Sequence, residues 1–297
     1  MHTDKRLTKA YEQAPLIPFD HYSKFIFFSD CHRGDASLSD EFARNQNLYI
    51  HALDYYYHRG FTYIEVGDGD ELWEHHRFKH IKKAHYEVFK RIKRFFDDRR
   101  LYMLYGNHNI YLKHPAYVKK HCFSYHDDCS DVTYDFLEGL VPLEALILKH
   151  SETGQEFFVV HGHQGDLLND QLWWFSMLSL KYFWRYLHAF GIRNPASPVK
   201  NAHKRHKIER NYNKWIQKHR HGLICGHTHR MKYPKSSNLP YFNTGSCIYP
   251  ARITGLEMLN GTLQMVQWHT TVTSTGILQV KRTVIRGPEP VEKFDIR

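Results

Sequence analysis

The sequence lacks a hydrophobic run of the roughly 18 residues that a membrane-spanning helix needs. Its first residues, from Met1 to Arg6, are polar and do not form the apolar stretch of a secretory signal peptide. It contains only five cysteines, an odd number without the spacing of a disulfide framework. It also has no internal repeats or low-complexity segments. These absences argue against a membrane-spanning protein or a disulfide-stabilised scaffold, and they predict a reduced, cytoplasmic protein.

Basic residues are abundant, and the 297 residues carry a formal net charge of +10 with neutral histidines. A basic surface favours an anionic partner, such as a phosphorylated substrate, a nucleic acid or an acidic membrane surface. The chain also contains 24 histidines, so no single histidine is informative by itself. Only histidines at the ends of predicted strands are therefore considered as candidate ligands.

Apolar runs typical of buried strands alternate with segments of helical periodicity in the first part of the chain. The predicted strands are 24–28, 63–66, 101–105, 143–149, 156–160, 222–225, 241–243, 253–259 and 262–268. The predicted helices are 41–59 and 77–98, residues 1–20 read as a polar lead-in, and residues 166–221 read as helical. Alternating strands and helices predict an α/β fold.

Side chains that bind metals follow five of these strands directly. They are Asp30 and His32, Asp68, Asn107 and His108, His161, and His227 and His229. In an extended segment residues i and i+2 point the same way, so we expect Asp30 and His32 to act together. Each motif alone is also compatible with an ordinary turn, because Gly, Asp and Asn are turn formers. All five together favour a metal site over coincidence.

The donor set indicates which ions the site would take. Imidazole, carboxylate and amide groups suit Mn²⁺, with Fe or Zn²⁺ as alternatives, whereas Ca²⁺ prefers oxygen ligands. About seven ligands are too many for one tetrahedral ion, but they suit two ions that share a carboxylate. Pairs of ions about 3.5–4 Å apart are a recurrent device for phosphoryl displacement. The sequence therefore predicts a site for two divalent metal ions.

The ordered series of motifs resembles the calcineurin-like metallophosphoesterases over about residues 25–270. This resemblance implies an α/β fold built as a four-layer α-β-β-α sandwich of two mixed sheets, with the metals at the strand ends. It also implies a single domain over residues 1–297, with a helical cap inserted at about 166–221.

The resemblance assigns a role to each motif residue. One metal would be bound by Asp30, His32, Asp68 and His229, and the other by Asp68, Asn107, His161 and His227. Asp68 would bridge the two ions, and a hydroxide held between them would attack phosphorus. His108 would be the catalytic residue that stabilises developing charge or protonates the leaving oxygen. The family usually has an acidic partner directly after its Gly-Asn-His motif; Asn109 stands there instead, and Asp70 is the alternative partner.

The resemblance leaves several substrates open within one reaction class. The leading interpretation is a general metal-dependent phosphoesterase that hydrolyses a phosphomonoester, phosphodiester or pyrophosphate bond. Gly67, Asp68, Glu71 and Trp73 form a segment similar to the Gly-Asp-x-x-Glu-x-Trp of UDP-2,3-diacylglucosamine pyrophosphatases, which is one alternative. A protein serine/threonine phosphatase and a nuclease would use the same metals. No substrate-binding residue is assigned.

The predicted insertion differs in composition from the rest of the chain. Its first half, 171–190, is rich in aromatic residues, and its last part, 200–221, is rich in basic residues. It predicts either a packed helical hairpin with a solvated basic face or a cap over the metals that selects an amphiphilic or polyanionic substrate. The expected partner is an anionic, phosphorylated small molecule or a lipid-linked substrate. Peripheral membrane contact stays open, nucleic acid is disfavoured, and no obligate protein partner is evident.

Overall fold

The fold is described by a computed structural model, which covers residues 2–128, 130–166, 201–235 and 238–297. Its helices are α1 (His2–Glu12), α2 (Gln46–His58), α3 (Phe78–Ala84), α4 (Tyr86–Asp97), α5 (Pro115–Cys122) and α6 (Ala202–His219). Its strands are β1 (Leu16–Phe19), β2 (Phe25–Phe28), β3 (Thr62–Val66), β4 (Leu101–Leu104), β5 (Ser124–Asp127), β6 (Val132–Asp135), β7 (Ala145–His150), β8 (Glu156–Val160), β9 (Gly222–Cys225), β10 (Tyr241–Asn243), β11 (Arg252–Leu259), β12 (Thr262–Val272) and β13 (Leu278–Pro290).

Most of the strands form two mixed sheets. The smaller sheet has five strands in the order β1-β7-β8-β9-β10, and only its β7–β8 pair is antiparallel. The larger sheet has six strands in the order β13-β12-β11-β2-β3-β4. Its β2, β3 and β4 are parallel neighbours, whereas β11, β12 and β13 pair antiparallel. A separate hairpin, β5–β6, stands apart from both sheets.

Apolar side chains divide the described part of the chain into layers. Phe27 of the larger sheet and Val159 of the smaller sheet share one buried cluster, so the sheets pack face to face. Residues of α2 to α5 pack with Tyr63 on the outer face of the larger sheet. Residues of α1 and α6 pack with Phe158 on the outer face of the smaller sheet. This arrangement confirms the predicted α/β fold with a four-layer α-β-β-α sandwich.

Residues 1–20 form α1 and β1, so the expectation of a polar lead-in is wrong. α1 buries Leu7 and Ala10 in the cluster that it shares with α6. β1 pairs in parallel with β7, where Leu16 lies opposite Ile147. Two buried apolar residues on an otherwise polar helix are too few for hydrophobic periodicity to predict α1. The helix is stabilised instead by packing on the rest of the fold.

The long helix expected over residues 77–98 is interrupted at His85. The backbone of His85 has φ −115° and ψ 32°, and α3 and α4 lie on either side of it. Its fully buried ring is hydrogen-bonded through Nε2 to Asp40 Oδ2 at 2.7 Å and through Nδ1 to the Gln46 side chain. Both ring nitrogens therefore have partners at or just before the start of α2, and this tertiary contact accounts for the break.

The last part of the predicted insertion is α6. This helix begins after Asn201, whose side chain accepts a hydrogen bond from the Lys204 backbone N–H at 3.0 Å. It buries Tyr212 and Trp215 against the smaller sheet, so α6 belongs to the outer layer of the sandwich. Residues 167–200 lie outside the described residues, and the cap and the single-domain boundaries remain predictions.

No helix in the described ranges is long and apolar enough to cross a membrane. The four described cysteines, Cys31, Cys122, Cys225 and Cys247, are buried and are not joined in disulfides. Cys31 and Cys225 belong to the apolar clusters on the two outer faces, where they pack as small hydrophobic residues.

Candidate metal centre

The loops that follow β2, β3, β8 and β9 are joined by hydrogen bonds at one edge of the sandwich. The Asp30 N–H donates to the Gly67 carbonyl at 3.1 Å, which joins the first two loops. The Gly226 N–H donates to the His161 carbonyl at 3.0 Å, which joins the loops of the smaller sheet. The His227 N–H donates to Asp30 Oδ2 at 3.0 Å, which joins the two sheets. The strand ends chosen from the sequence therefore meet.

Five of the predicted ligands lie in the left-handed region of backbone conformation. Their φ angles are 50° for Asp30, 47° for His32, 50° for Asp68, 67° for His227 and 54° for His229. The extended backbone expected for Asp30 and His32 is therefore wrong, although both side chains reach the same cluster. Such conformations cost about 1–3 kcal/mol each, and they concentrate at functional sites.

A first cluster contains Asp30, His32 and His229. His229 Nε2 lies 3.1 Å from Asp30 Oδ1 and 3.2 Å from His32 Nε2. His32 Nε2 lies 3.9 Å from Asp30 Oδ1. Two ligands of one ion, each bound at about 2.0–2.2 Å, are at most about 4.4 Å apart. All three separations fit one shared cation.

A second cluster contains Asp68, His161 and His227, all of them buried. His161 Nδ1 donates to the Val66 carbonyl at 2.9 Å, so its other nitrogen carries a lone pair in the neutral ring. That nitrogen, Nε2, lies 3.0 Å from Asp68 Oδ2. Two atoms with lone pairs face each other here, an arrangement that requires a cation or a proton between them.

Asp68 lies between the two clusters. Its Oδ2 is 3.0 Å from His161 Nε2 in the second cluster and 3.9 Å from His32 Nε2 in the first. Its Oδ1 accepts a hydrogen bond from the His108 backbone N–H at 2.8 Å, which fixes the orientation of the carboxylate. This is the position that a bridging ligand would occupy.

Asn107 reaches the same region through the loop after β4. The neighbouring Gly106 packs so closely that an added Cβ would lie 2.2 Å from Asp68 Oδ1 and 2.7 Å from His161 Cδ2. Asn107 is buried, and its Oδ1 accepts no hydrogen bond in the described part of the chain. Glycine is therefore required before Asn107, and the amide oxygen remains available as a ligand.

The buried atoms without partners test whether the residues fit metal ions. Among the described residues, Asn107 Oδ1, His161 Nε2 and His227 Nε2 are buried without hydrogen bonds. All three belong to the residues predicted for the second ion, and a buried polar atom without a partner is costly. A divalent cation satisfies all of them at once. The clusters could therefore hold metal ions, and their donors fit the sequence-based assignment.

The titration properties of the metal-free chain show the same demand for positive charge. Burial alone would raise the pKa of the Asp68 carboxyl, but His161 and His108 lower it well below its usual value. Burial likewise would raise the pKa of Asp30, and His229 outweighs it. Burial opposes protonation of His161, yet Asp68 raises the pKa of its imidazole. The carboxyls of Asp30 and Asp68 are therefore stabilised as carboxylates, and the His161 imidazole is stabilised in its protonated form.

Glu71 is a functional residue that the sequence argument did not assign, and it links His108 to His32. Its Oε1 accepts from His108 Nδ1 at 2.8 Å, and its Oε2 accepts from His32 Nδ1 at 2.8 Å. Burial would raise the pKa of the Glu71 carboxyl, but these two imidazoles hold it well below its usual range. Glu71 therefore orients both rings and leaves each Nε2 directed elsewhere. Trp73 stacks on His108 at a centroid distance of 4.2 Å.

Asp70 does not compensate for Asn109 as the sequence suggested. The Asp70 carboxylate accepts from Arg33 Nε at 2.8 Å, and Arg33 Nη1 and Nη2 donate to Glu65 at 2.8 and 2.9 Å. Asn109 instead accepts from the Gly106 N–H at 2.6 Å through its Oδ1. Asp70 therefore belongs to a buried ion network beneath the loops, and Glu71 is the acidic partner of His108.

Asp166 is a second acidic residue that was not assigned. Its Oδ2 lies 3.7 Å from His227 Nε2 and 2.7 Å from Lys204 Nζ. Burial would raise its pKa, but His227 and Lys204 lower it to about 2. Its place in the sequence, five residues after His161, was the available signal. Its contacts with Lys204 of α6 and with His227 after β9 join segments distant in sequence, which no local pattern reveals.

A further group of potential ligands, His21, His150 and Glu292, lies at the opposite end of the sandwich. His21 precedes β2, whereas Asp30 follows it. His150 Nδ1 accepts from the backbone N–H groups of Glu152 and Thr153, both at 3.2 Å. The proton of its neutral ring therefore lies on Nε2, which makes that atom a donor rather than a metal ligand.

Comparison with known proteins adds little to this geometry. The sequence matches no protein-family model and no curated protein. Eleven chains of known structure match. One is a conserved uncharacterised protein from Streptococcus pneumoniae TIGR4, described as a predicted phosphoesterase. It is 12% identical, with a TM-score of 0.34, over 88% of this chain and 97% of that one. A similarity this low does not assign an activity.

Proposed function

We propose that this protein is a metal-dependent phosphoesterase that uses two divalent cations, Mn²⁺ in the first instance, to hydrolyse a phosphate ester or pyrophosphate bond. The ligands of one cation would be Asp30, His32, Asp68 and His229, and those of the other Asp68, Asn107, His161 and His227. The substrate would be an anionic, phosphorylated small molecule or a lipid-linked one, in the cytoplasm.

One observation carries the proposal: two ligand clusters meet at Asp68, and the second contains buried lone pairs without partners. Asp68 Oδ2 is within 3.9 Å of ligand atoms in both clusters. An arrangement that only stabilised the fold would satisfy His161 Nε2 and His227 Nε2 with hydrogen bonds, yet both lack them among the described residues. A pair of cations explains these atoms together with the five strained ligand backbones.

Two cations at this position would screen the charge of a phosphate and supply a nucleophile from water at neutral pH. His108 would act on the leaving group. Its Nδ1 is held by Glu71, within 2.8 Å, so Nε2 is the atom available to donate a proton or a hydrogen bond. The Glu71 carboxylate orients the ring of His108, and Trp73 limits its rotation by stacking.

The position of Glu71 and Trp73 also bears on the substrate. Both residues contact His108, so their role there accounts for the segment similar to UDP-2,3-diacylglucosamine pyrophosphatases without a contact to a nucleotide or lipid. We therefore propose the phosphoesterase class and leave the monoester, diester and pyrophosphate alternatives to experiment.

The test is hydrolysis of a substrate panel by the full chain with Mn²⁺. The panel contains an aryl phosphate, its bis-ester, a nucleotide-sugar pyrophosphate, a phosphopeptide and DNA. We expect turnover of at least one of them, loss of turnover with a chelator and recovery with added metal. Metal analysis should find two ions per chain. Fewer than one ion per chain, together with no chelator-sensitive hydrolysis, would overturn the proposal.

A further inference from the structure

A small pocket adjoins the candidate metal centre and has no role in the chemistry described above. It is lined by Asp35, His75, His76, Arg77 and His80, and its volume is about 190 Å³. Pockets for drug-sized ligands are about 300–1,000 Å³, so this one suits a single small group rather than a whole cofactor.

The two walls of the pocket continue the loops that carry the candidate ligands. Asp35 follows His32 by three residues, which span at most about 11 Å. His75 follows Glu71 by one turn, and its N–H donates to the Glu71 carbonyl at 3.0 Å. The Glu71 N–H in turn donates to the Arg33 carbonyl at 3.0 Å, which ties the two walls together. The pocket therefore has a fixed position relative to the metal centre.

The charge of the pocket favours an anion. Its one acid, Asp35, lies 3.1 Å from His75 Nδ1 and accepts from the Ser37 N–H at 3.2 Å, so nearby groups balance its charge. Arg77 is exposed and makes no ion pair in the described part of the chain. His76 and His80 are exposed imidazoles on either side of it, and they add positive charge when protonated.

His75 forms the buried wall of the pocket, where it is 3% exposed and its Nδ1 lies 3.1 Å from Asp35 Oδ1. The pocket is not a preassembled metal site, because no three potential ligand atoms of its described residues lie within 4.8 Å of one another. A small oxyanion fits both the guanidinium and the imidazoles.

We propose that this pocket is a specificity subsite, which binds a second phosphate or carboxylate group that the substrate carries in addition to the bond that is hydrolysed. As a substrate subsite it rests on the proposed phosphoesterase function. The guanidinium of Arg77 supplies a permanent positive charge for this group, and His76 and His80 flank it. Substrates with an anionic group at each end are then bound at both ends, whereas simple esters are bound only at the metals.

The test compares hexane-1,6-diol bisphosphate with hexyl phosphate, which differ only in the second phosphate. With Mn²⁺, we expect kcat/KM to be at least about tenfold higher for the bisphosphate, the ratio typical of one hydrogen bond to a charged group. Arg77→Gln should bring the ratio near two, the statistical value for a substrate with two equivalent phosphates, and Arg77→Lys should restore part of the preference. Lys79→Gln is the matched control, because Lys79 is exposed on the same segment, pairs with Asp128 at 2.8 Å and does not line the pocket.

A second readout separates this proposal from the proposed function. Binding of inorganic phosphate to chelator-treated protein is followed by ³¹P NMR for the wild type, Arg77→Gln and Lys79→Gln. If neither ester is hydrolysed but Arg77→Gln weakens phosphate binding about tenfold, the pocket binds anions, and the substrate panel with metal analysis decides the phosphoesterase proposal separately. A wild-type kcat/KM ratio near two, or phosphate binding unchanged by Arg77→Gln, overturns the subsite.

Discussion

The end with the candidate metal centre and the opposite end both gather histidines and carboxylates, but they differ in whether the free Nε2 of the buried imidazole carries a lone pair or a proton. At the metal end, the Val66 carbonyl accepts from His161 Nδ1 and leaves Nε2 as a bare lone pair next to Asp68. At the opposite end, two backbone N–H groups donate to His150 Nδ1 and leave Nε2 as a donor. Potential ligand residues lie close together at both ends. The backbone hydrogen bonds, however, select different tautomers for His161 and His150.

The ends also differ in how they are supported. Beneath the metal end, Arg33, Glu65 and Asp70 form a fully buried ion network. Near the opposite end, Arg297 pairs with Asp295 and donates to the Thr153 carbonyl at 2.7 Å, with its side chain 42% exposed. Buried support holds loops in strained conformations, whereas exposed pairs contribute little. This contrast can be tested from both sides.

The largest effect should follow Asp68→Asn, because Asp68 lies between both clusters. An amide keeps only one of the two oxygen ligand atoms and carries no charge, so we expect the chain to lose its metals. The value of kcat/KM on the best substrate of the panel should fall at least about 10³-fold, since metal ions supply several kcal/mol of stabilisation. Metal content and turnover are measured on the same preparations.

The counterpart at the opposite end is Glu292→Gln, which removes the carboxylate of the His21–His150–Glu292 group. Glu292 is 45% exposed, and we expect this variant to keep the metal content and turnover of the wild type. For Asp68→Asn, by contrast, a preparation that kept two ions per chain would contradict the bridging role. Loss of one ion from Glu292→Gln would show that the opposite end is also a metal site.

Arg33→Met should give the next largest effect, on stability. The substitution leaves Glu65 and Asp70 buried without their cation, and breaking a buried pair in this way costs about 3–5 kcal/mol. Urea denaturation of the metal-free chain measures the free energy of unfolding. Arg297→Met is the control at the opposite end, where we expect a loss of less than about 1 kcal/mol. Equal losses in the two variants would remove the distinction between the two kinds of support.

The residues that meet at the candidate metal centre were largely predictable from the sequence, whereas the buried residues that orient them were not. Strand-end motifs identify Asp68 and His161 because an apolar run and its last residue are adjacent in sequence. The acidic partner of His108 depends on which of two adjacent acids faces it. Asp70 turns to Arg33 and Glu71 turns to His108. The orientation of the two acids is determined by the buried guanidinium of Arg33, which lies in another loop and is therefore not evident from the local sequence.

Glu71→Gln should have a smaller effect than loss of Asp68, because Glu71 acts through other residues. The amide keeps the size of the side chain but places an N–H₂ group against one of the two imidazole N–H donors. Loss of such a partner lowers metal affinity or activity by about 10–100-fold. Isothermal titration with Mn²⁺ measures the first quantity and kcat/KM the second. Glu74→Gln, four residues before Phe78 and outside the clusters, should change neither.

The fold was predictable where one segment carries its own pattern, as in β2, β3 and β9. It was not predictable where two weak segments depend on each other. Leu7 of α1 and Trp215 of α6 are buried only because the two helices pack together over the smaller sheet. His85 interrupts the helix expected over residues 77–98 because Asp40 and Gln46 bind its ring. In both cases the deciding contact is distant in sequence.

The smallest effect should come from His150→Ala at the opposite end, and it should fall on stability alone. The substitution removes the acceptor of two hydrogen bonds from the N–H groups of Glu152 and Thr153, both exposed residues, at a cost of about 0.5–1.5 kcal/mol. Metal content and turnover should be unchanged, because His150 contributes no lone pair to an ion. Urea denaturation and metal analysis give the two readouts.

His150→Asn sharpens this last test, because an amide oxygen can accept from the same two N–H groups. If the imidazole of His150 accepts the backbone hydrogen bonds, His150→Asn should recover part of the stability lost in His150→Ala. If His150 were instead a metal ligand, His150→Asn should be as unstable as His150→Ala. His21→Ala removes one of the two exposed members of the group and should leave stability within about 0.5 kcal/mol of wild type. Zinc that stabilised the wild type but neither variant would reverse the assignment, since it would require His150 Nε2 to carry a lone pair after all.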